Sequence, residues 1–370
     1  MDAPTGAAHP SLPPRLAMDK QGQYAAAVLR SARKAHASGI ALRLAERDPE
    51  LLERFDAKFF GDARAHAESL LDHLAVAAEC GRPALFDHQV GWLKVSFQAH
   101  GMPLEALRGS LVALRDEIAE ELPTQASRQL VAICEGGLAA LEACAAELPN
   151  HITAAAPHAK AARDYLVAVL EGRRDDALAL ALALVDQGVP VTEVHRHVLS
   201  ASQVEIGRMW QRGELSVAEE HVASRTTEQV LALLDARLPR GPRLKKRVLV
   251  TSANGDLHDI GLKMVAQQLE LAGFDALYLG ASTPGEDVVR AIDDFSVDAL
   301  AVGAKLTINL PACMELVACV RASERGRELP ILVGGVPFVV VPDLWKVVGA
   351  DASASHAADA VPALKMLLGL

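Results

Sequence analysis

Two regimes of hydrophobic patterning divide this chain. From about Gln21 to Leu148, long Ala- and Leu-rich segments carry acidic and basic residues on alternate faces, which predicts helices. Breaks fall at Gly81-Arg82-Pro83, Gly101-Met102-Pro103 and Leu122-Pro123. From about Ala155 to Leu238 further helices are expected, punctuated at Gly172, Gly188-Val189-Pro190 and Gly213. Leu238-Pro239-Arg240-Gly241-Pro242 reads as a linker. Beyond Lys245 short β-rich apolar runs take over: Arg247 to Ser252, Ala276 to Leu279, Ala299 to Gly303, Ile331 to Val333, and a short one near Ala350. Helical stretches separate them, at Gly261 to Ala272, Gly285 to Phe295, Pro311 to Arg325 and Ala357 to Leu368. Such βαβ alternation predicts a parallel sheet covered on both faces.

The expected organisation is therefore a Pro-rich leader without regular structure over 1–17 and an all-helical domain over 18–150. A four-helix-bundle domain over 155–238, a linker over 239–244 and an α/β domain over 245–370 follow. A length of 370 residues with 51% hydrophobic content is enough for more than one core. The formal charge of -10 offers no basic surface to release phosphate counterions, which argues against direct nucleic-acid binding. The five cysteines (Cys80, Cys134, Cys144, Cys313, Cys319) form no CxxC pair, so reduced thiols in a cytoplasm are expected rather than disulfides or a zinc site. The apolar run Ala177 to Val185 is too short to span a bilayer, and Met1-Asp2-Ala3-Pro4 lacks the basic start of a signal peptide.

The candidate chemistry concentrates directly after the first strand, at Asp256-Leu257-His258-Asp259-Ile260-Gly261. In a parallel α/β sheet, ligands bind beyond the carboxyl ends of the strands, so a His on that loop stands clear of the sheet. An Asp two residues earlier can hold one ring nitrogen, fixing the tautomer and raising the basicity of the other. Gly261 lets the backbone come close to a bulky group at the start of the next helix.

With these residues in view, positions from about 160 to 370 resemble the cobalamin-binding module of methionine synthase and its relatives, a helical-bundle cap followed by a flavodoxin-like (Rossmann-like) domain. The resemblance makes Asp256, His258 and Gly261 the cobalt-ligand motif, with His258 as lower axial ligand. It makes Gly334-Gly335 the paired glycines that admit the cofactor's nucleotide tail. Where that family has Ser-x-Leu, this chain reads Ala304-Lys305-Leu306, with Thr307 next: Leu306 is kept and the serine hydroxyl is lost.

The run Trp210-Gln211-Arg212-Gly213-Glu214-Leu215-Ser216-Val217-Ala218-Glu219-Glu220-His221 is similar to the cap of the adenosylcobalamin photoreceptors. That likeness implies an upper-face pocket of Trp210, Glu220 and His221 around an adenosyl group. Those photoreceptors carry a His directly after the Trp, and here it is Gln211; they also carry a helix-turn-helix domain that this chain lacks.

The N-terminal region has two readings. Five of the eight phenylalanines (Phe55, Phe59, Phe60, Phe86, Phe97) and Trp92 fall there with His66, His73, His88 and His100. One reading is the aromatic core of a helical domain. The other is a pocket for a flat conjugated ligand: a globin-like helical domain before a cobalamin module resembles the photocobilins, which pair cobalamin with biliverdin. Haem is the competing ligand, with one of the four histidines as axial donor, and Cys80, Cys134 or Cys144 would be the thiols for covalent bilin attachment.

The function these resemblances imply is a non-enzymatic, adenosylcobalamin-dependent light sensor. Loss of the adenosyl group would change the cap and with it self-association or contact with a signalling protein. The alternative is a corrinoid methyl carrier of a methyltransferase system. A mutase is disfavoured because no substrate-binding barrel accompanies the module.

Overall fold

The apolar runs after residue 245 form five parallel strands: β1 (Arg247–Ser252), β2 (Asp275–Gly280), β3 (Ala299–Gly303), β4 (Ile331–Gly334) and β5 (Ala352–Ala354), in the order β2-β1-β3-β4-β5. This is a computed structural model, and it describes residues 19–47, 57–145, 150–237 and 242–370. The leader 1–17, Phe55, the side chains of Phe59 and Phe60, and residues 239–241 of the linker lie outside the described residues.

The strand order is that of a flavodoxin-like doubly wound sheet, in which the chain leaves β1 towards β2 on one side and returns to pair β3 on the other. The loops after β1 and β3 therefore diverge and leave a crevice at the carboxyl edge. β1, β3 and β4 are buried almost throughout, which is why they read as unbroken apolar runs rather than alternating ones. One face packs Val248, Val250, Ala299, Ala301 and Leu332 against Leu269 and Leu364, drawn from the helices Ile260–Leu271 and Ala357–Leu367. Leu249, Leu300, Val302, Ile331 and Val333 are equally buried and, by alternation, point to the opposite face.

Two short helices, Val336–Val340 and Leu344–Val348, were not expected. Each has five residues, too few for a helical period to show, and Pro337 occupies the first turn of one of them, where a missing N–H costs nothing.

The helical residues 17–230 form one compact unit and residues 231–370 belong to another. In the helical unit, α1 (Lys20–Ser31), α2 (Arg33–Arg47), α3 (Ala57–Glu79), α4 (Ala84–Ala99), α5 (Leu104–Glu121) and α6 (Thr124–Ala143) bury Leu29, Ile40, Leu70, Leu71, Leu74, Leu85, Phe86, Leu107, Leu111, Leu114 and Ile118. Gly39 makes room inside this bundle for the Glu117 carboxylate, which lies 3.1 Å from His36 Nδ1 and accepts from Arg43 Nε at 2.9 Å.

The chain continues with α7 (Ala159–Leu170), α8 (Arg174–Asp186), a helical run through Val191–Glu193 and a π-helical segment Val194–Ser200 into α9 (Ala201–Gln211), and α10 (Val217–Asp235). α7 and α10 are tied by Tyr165 Oη and Thr227 Oγ1 at 2.9 Å. No described helix is long and apolar enough to cross a membrane.

Candidate functional site

The loop after β1 is built around one carboxylate. Asp256 is 1% exposed, while the side chain of His258 is 55% exposed. One oxygen of Asp256 accepts the backbone N–H of His258 at 3.0 Å and lies 2.9 Å from His258 Nδ1. The other accepts the backbone N–H of Lys305, in the loop after β3, at 2.6 Å. Burial pushes the Asp256 carboxyl up, but the hydrogen bonds from His258 and Lys305 outweigh it and hold the carboxyl below its ordinary range. A carboxylate on Nδ1 makes that nitrogen the N–H, so Nε2 carries the lone pair on the exposed side of the ring.

The loops around it are stitched to one another. Ser252 Oγ donates to the Asp256 carbonyl at 2.6 Å and accepts from Ser282 N. Ser282 in turn takes φ 55° and accepts the Gly255 N–H at 2.9 Å. Thr251 Oγ1 donates to Thr283 Oγ1 at 2.7 Å. Gly335 takes φ 128°, and a Cβ there would stand 1.9 Å from the Ala304 carbonyl oxygen, so the β3 and β4 loops touch only because this residue is glycine. On the Cβ side of Gly261 nothing lies within 4 Å. Large apolar side chains stand exposed along this edge: Leu257 after β1, Leu306 and Ile308 after β3, and Val339 after β4. Thr307 is buried, and Leu306 N is held by Asn309 Oδ1 at 3.0 Å.

A macrocycle with an axial coordination position and a long polar tail fits this edge by chemistry. It meets one imidazole nitrogen with a carboxylate behind it, an apolar rim, and open space on the Cβ side of Gly261. Reading the sequence located Asp256, His258, Gly261, Leu306, Thr307, Gly334 and Gly335 here. It missed Lys305, whose contribution is a backbone N–H that any residue would supply, and Leu257 and Ile308, single apolar residues in loops.

In the helical unit, Trp210 ends α9 with 42% exposure, and Glu220 and His221 lie in the first turns of α10. His221 is largely exposed, with Nε2 at 3.7 Å from Glu220 Oε2. Glu220 also accepts from Ser224 Oγ at 2.6 Å, and that hydroxyl lies 3.1 Å from Gln203 Oε1. Gln203 Nε2 donates to Thr227 Oγ1 at 2.8 Å, so a polar chain runs from Glu220 inward to Tyr165. The amides and hydroxyls of that chain carry no sequence pattern of their own. Gln211 is buried and its Nε2 donates to the Trp92 carbonyl at 2.9 Å.

The four N-terminal histidines do not share one environment. His66 packs against Phe97 with ring centroids 5.6 Å apart, and burial pushes its pKa down to about 4. His73 and His88 are also lowered, first by burial. His73 Nδ1 lies 2.8 Å from the Ser69 carbonyl, and His100 Nδ1 lies 2.7 Å from that of Ser96. Burial pushes the Cys80 thiol up to about 12 and raises that of Cys134, the opposite of what attack by a thiolate requires. Phe86 is wholly buried and Cys144 is partly exposed.

Comparison with known proteins bears on both bundle and sheet. Residues 246–365 match the B12 binding domain family model, and residues 161–235 match a second model, also described as a B12 binding domain. The chain is 29% identical over 182 residues to dimethylamine corrinoid protein 3 of Methanosarcina acetivorans, covering 49% of this chain and 84% of that protein. It is 26% identical over 198 residues to dimethylamine corrinoid protein 1 of Methanosarcina mazei, covering 53% of this chain and 90% of that one. Among solved structures, the monomethylamine corrinoid protein of Methanosarcina barkeri shares the fold, with a TM-score of 0.50 at 21% identity, covering 56% of this chain and 98% of that chain.

Proposed function

We propose, for a chain that carries B12-binding domains over residues 161–235 and 246–365, that it is a corrinoid protein without turnover of its own, holding cobalamin through His258 for methyl transfer between partner enzymes. The observation that carries this is His258 itself: Nδ1 tied to a buried carboxylate, Nε2 left to coordinate, and the ring exposed at the carboxyl edge of a flavodoxin-like sheet. When bound, cobalamin supplies a cobalt–carbon bond that can be made and broken. Asp256 orients His258 and keeps it basic, Lys305 N holds Asp256 in place, Gly261 leaves its side of the edge open for the ring, and Gly335 lets the β3 and β4 loops close on each other. Leu257, Leu306 and Ile308 present apolar surface to the macrocycle. The curated relatives named as dimethylamine corrinoid proteins favour methyl carriage, with methyltransferases as the partners.

A second reading, light sensing through adenosylcobalamin, is favoured by one specific observation. Trp210 remains substantially exposed at the end of α9, with Glu220 and His221 nearby in sequence at the start of α10, and an indole with a carboxylate suits a nucleoside. In this reading the helical residues before 150 hold a second chromophore such as biliverdin, and the output is self-association or contact with a signalling protein.

One experiment separates the two. The full chain is titrated in the dark with methylcobalamin and with adenosylcobalamin, and absorbance and elution volume are recorded before and after illumination. Tight binding of the methyl form with no light-dependent change in elution supports the carrier. Retention of the adenosyl form, its loss on illumination and a changed elution volume support the sensor. Unchanged protein-ligated cobalt spectra in His258→Ala would sink both.

A further inference from the structure

Helix α4, in the region before 150, and helix α9, in the B12-binding bundle, lie in the same compact unit and meet at several points. The rings of Trp92 and Trp210 are 6.5 Å apart, centroid to centroid, and tilted by 39°. Gln211 is 6% exposed and donates through Nε2 to the Trp92 carbonyl. Just beyond α9, Gly213 turns with φ 67°, and a Cβ there would stand 2.8 Å from Nε2 of His100, the residue that follows α4. A further tie joins the backbone N–H of His151 to the buried Glu205 of α9 at 3.3 Å, and Glu205 is itself paired with Arg208 at 2.6 Å.

These contacts differ in kind. A buried amide with a fixed backbone acceptor sets the position of the α9 terminus against α4, whereas Gly213 meets only the movable ring of His100. The indole pair beside them is half-open. Trp92 is partly buried, while Trp210 stays 42% exposed. Aromatic pairs at this separation interact through ring geometry, so reorientation of one alters the favourable position of the other.

We propose that the helical domain before residue 150 is the built-in partner of the bundle. Gln211 pins the end of α9 to α4, and Trp92 sets the position of Trp210, so that a ligand meeting Trp210 is felt along α4. Gln211 is on this account a tie between α4 and α9, and Trp92 a positioning residue. The inference rests on the reading that Trp210 meets the bound cobalamin. Coupling of this kind is reciprocal: whatever alters Trp92 alters the affinity for the cofactor.

The test is hydrogen exchange on the full chain with and without adenosylcobalamin, binding being verified by absorbance. Peptides covering 201–211 and 84–99 should both change their exchange when the cofactor binds. Trp92→Leu should keep the first change and lose the second, and should shift cobalamin affinity by about fivefold or more. Trp92→Phe, which retains a ring, should restore most of the coupling. If 201–211 responds in the unaltered chain and 84–99 does not, the coupling is overturned and the contact of Trp210 with cobalamin stands. If cobalamin binds and 201–211 does not respond, that contact and the coupling both fall.

Discussion

At Asp256 a single carboxylate receives two backbone N–H groups and a ring nitrogen, and the acceptor itself can be altered without changing the size of the side chain. Asp256→Asn preserves shape but puts an NH2 where one oxygen accepted, so either the His258 ring or the Lys305 N–H faces a donor instead of an acceptor. Cobalamin affinity in this variant should fall by about 10–100-fold, as is typical when the partner of a metal-ligating imidazole is lost, with the fold's melting temperature largely kept. Absorbance titration reads this directly, and undiminished affinity would mean that the carboxylate does not orient the ligand. His66 tests the N-terminal core in a different way. Its pKa lies near 4 in the folded chain because burial opposes the charge, against about 6.5 when unfolded. The unfolded state therefore takes up the proton first as pH falls. Stability present above about pH 6.5 is lost on the way down to about pH 4, to the extent of roughly 3 kcal/mol. His66→Phe, placing a second ring against Phe97, should flatten that limb in denaturant titrations at pH 7, 5.5 and 4.5. An unchanged slope would show that His66 is not buried neutral.

Among the elements, the β3–β4 junction is the least forgiving. Gly335 combines φ 128° with a Cβ position 1.9 Å from a backbone oxygen, and neither can be relieved by a side-chain rotation. Gly335→Ala should lower unfolding stability by about 2 kcal/mol or more and remove cobalamin binding, measured by denaturant titration and by absorbance. This glycine was legible beforehand, as were β1, β3 and β4, because strands buried on both faces write themselves as apolar runs and a paired glycine after one of them is conspicuous. β5 was placed only approximately, near Ala350 rather than at Ala352–Ala354, since a three-residue edge strand has hardly any pattern to read. The Asp256–His258 pair was legible from spacing because the two residues are neighbours in sequence as well as in space. The bond from Gln211 to Trp92 joins residues 119 positions apart through a backbone carbonyl, and no local pattern encodes it.

On the scale of the whole molecule, two compact units with their own cores imply that unfolding is not a single transition. The unit containing β1 to β5 closes its core internally and also holds the end of α10, through Gln267 Nε2 donating to the Leu231 carbonyl at 2.6 Å. Calorimetry of the full chain should resolve two transitions, and cobalamin should raise the one belonging to residues 231–370. At a hundredfold excess over the dissociation constant the gain is about 2.7 kcal/mol, and His258→Ala should abolish it. The second transition is the more informative. A ligand held by His258 and the sheet edge alone leaves the helical unit where it was. A ligand that also engages Trp210 stabilises residues 17–230, so their transition moves too, and Trp210→Ala returns it to its cobalamin-free position. A single cooperative transition, unresolved in the presence or absence of cobalamin, would contradict the independence of the two cores.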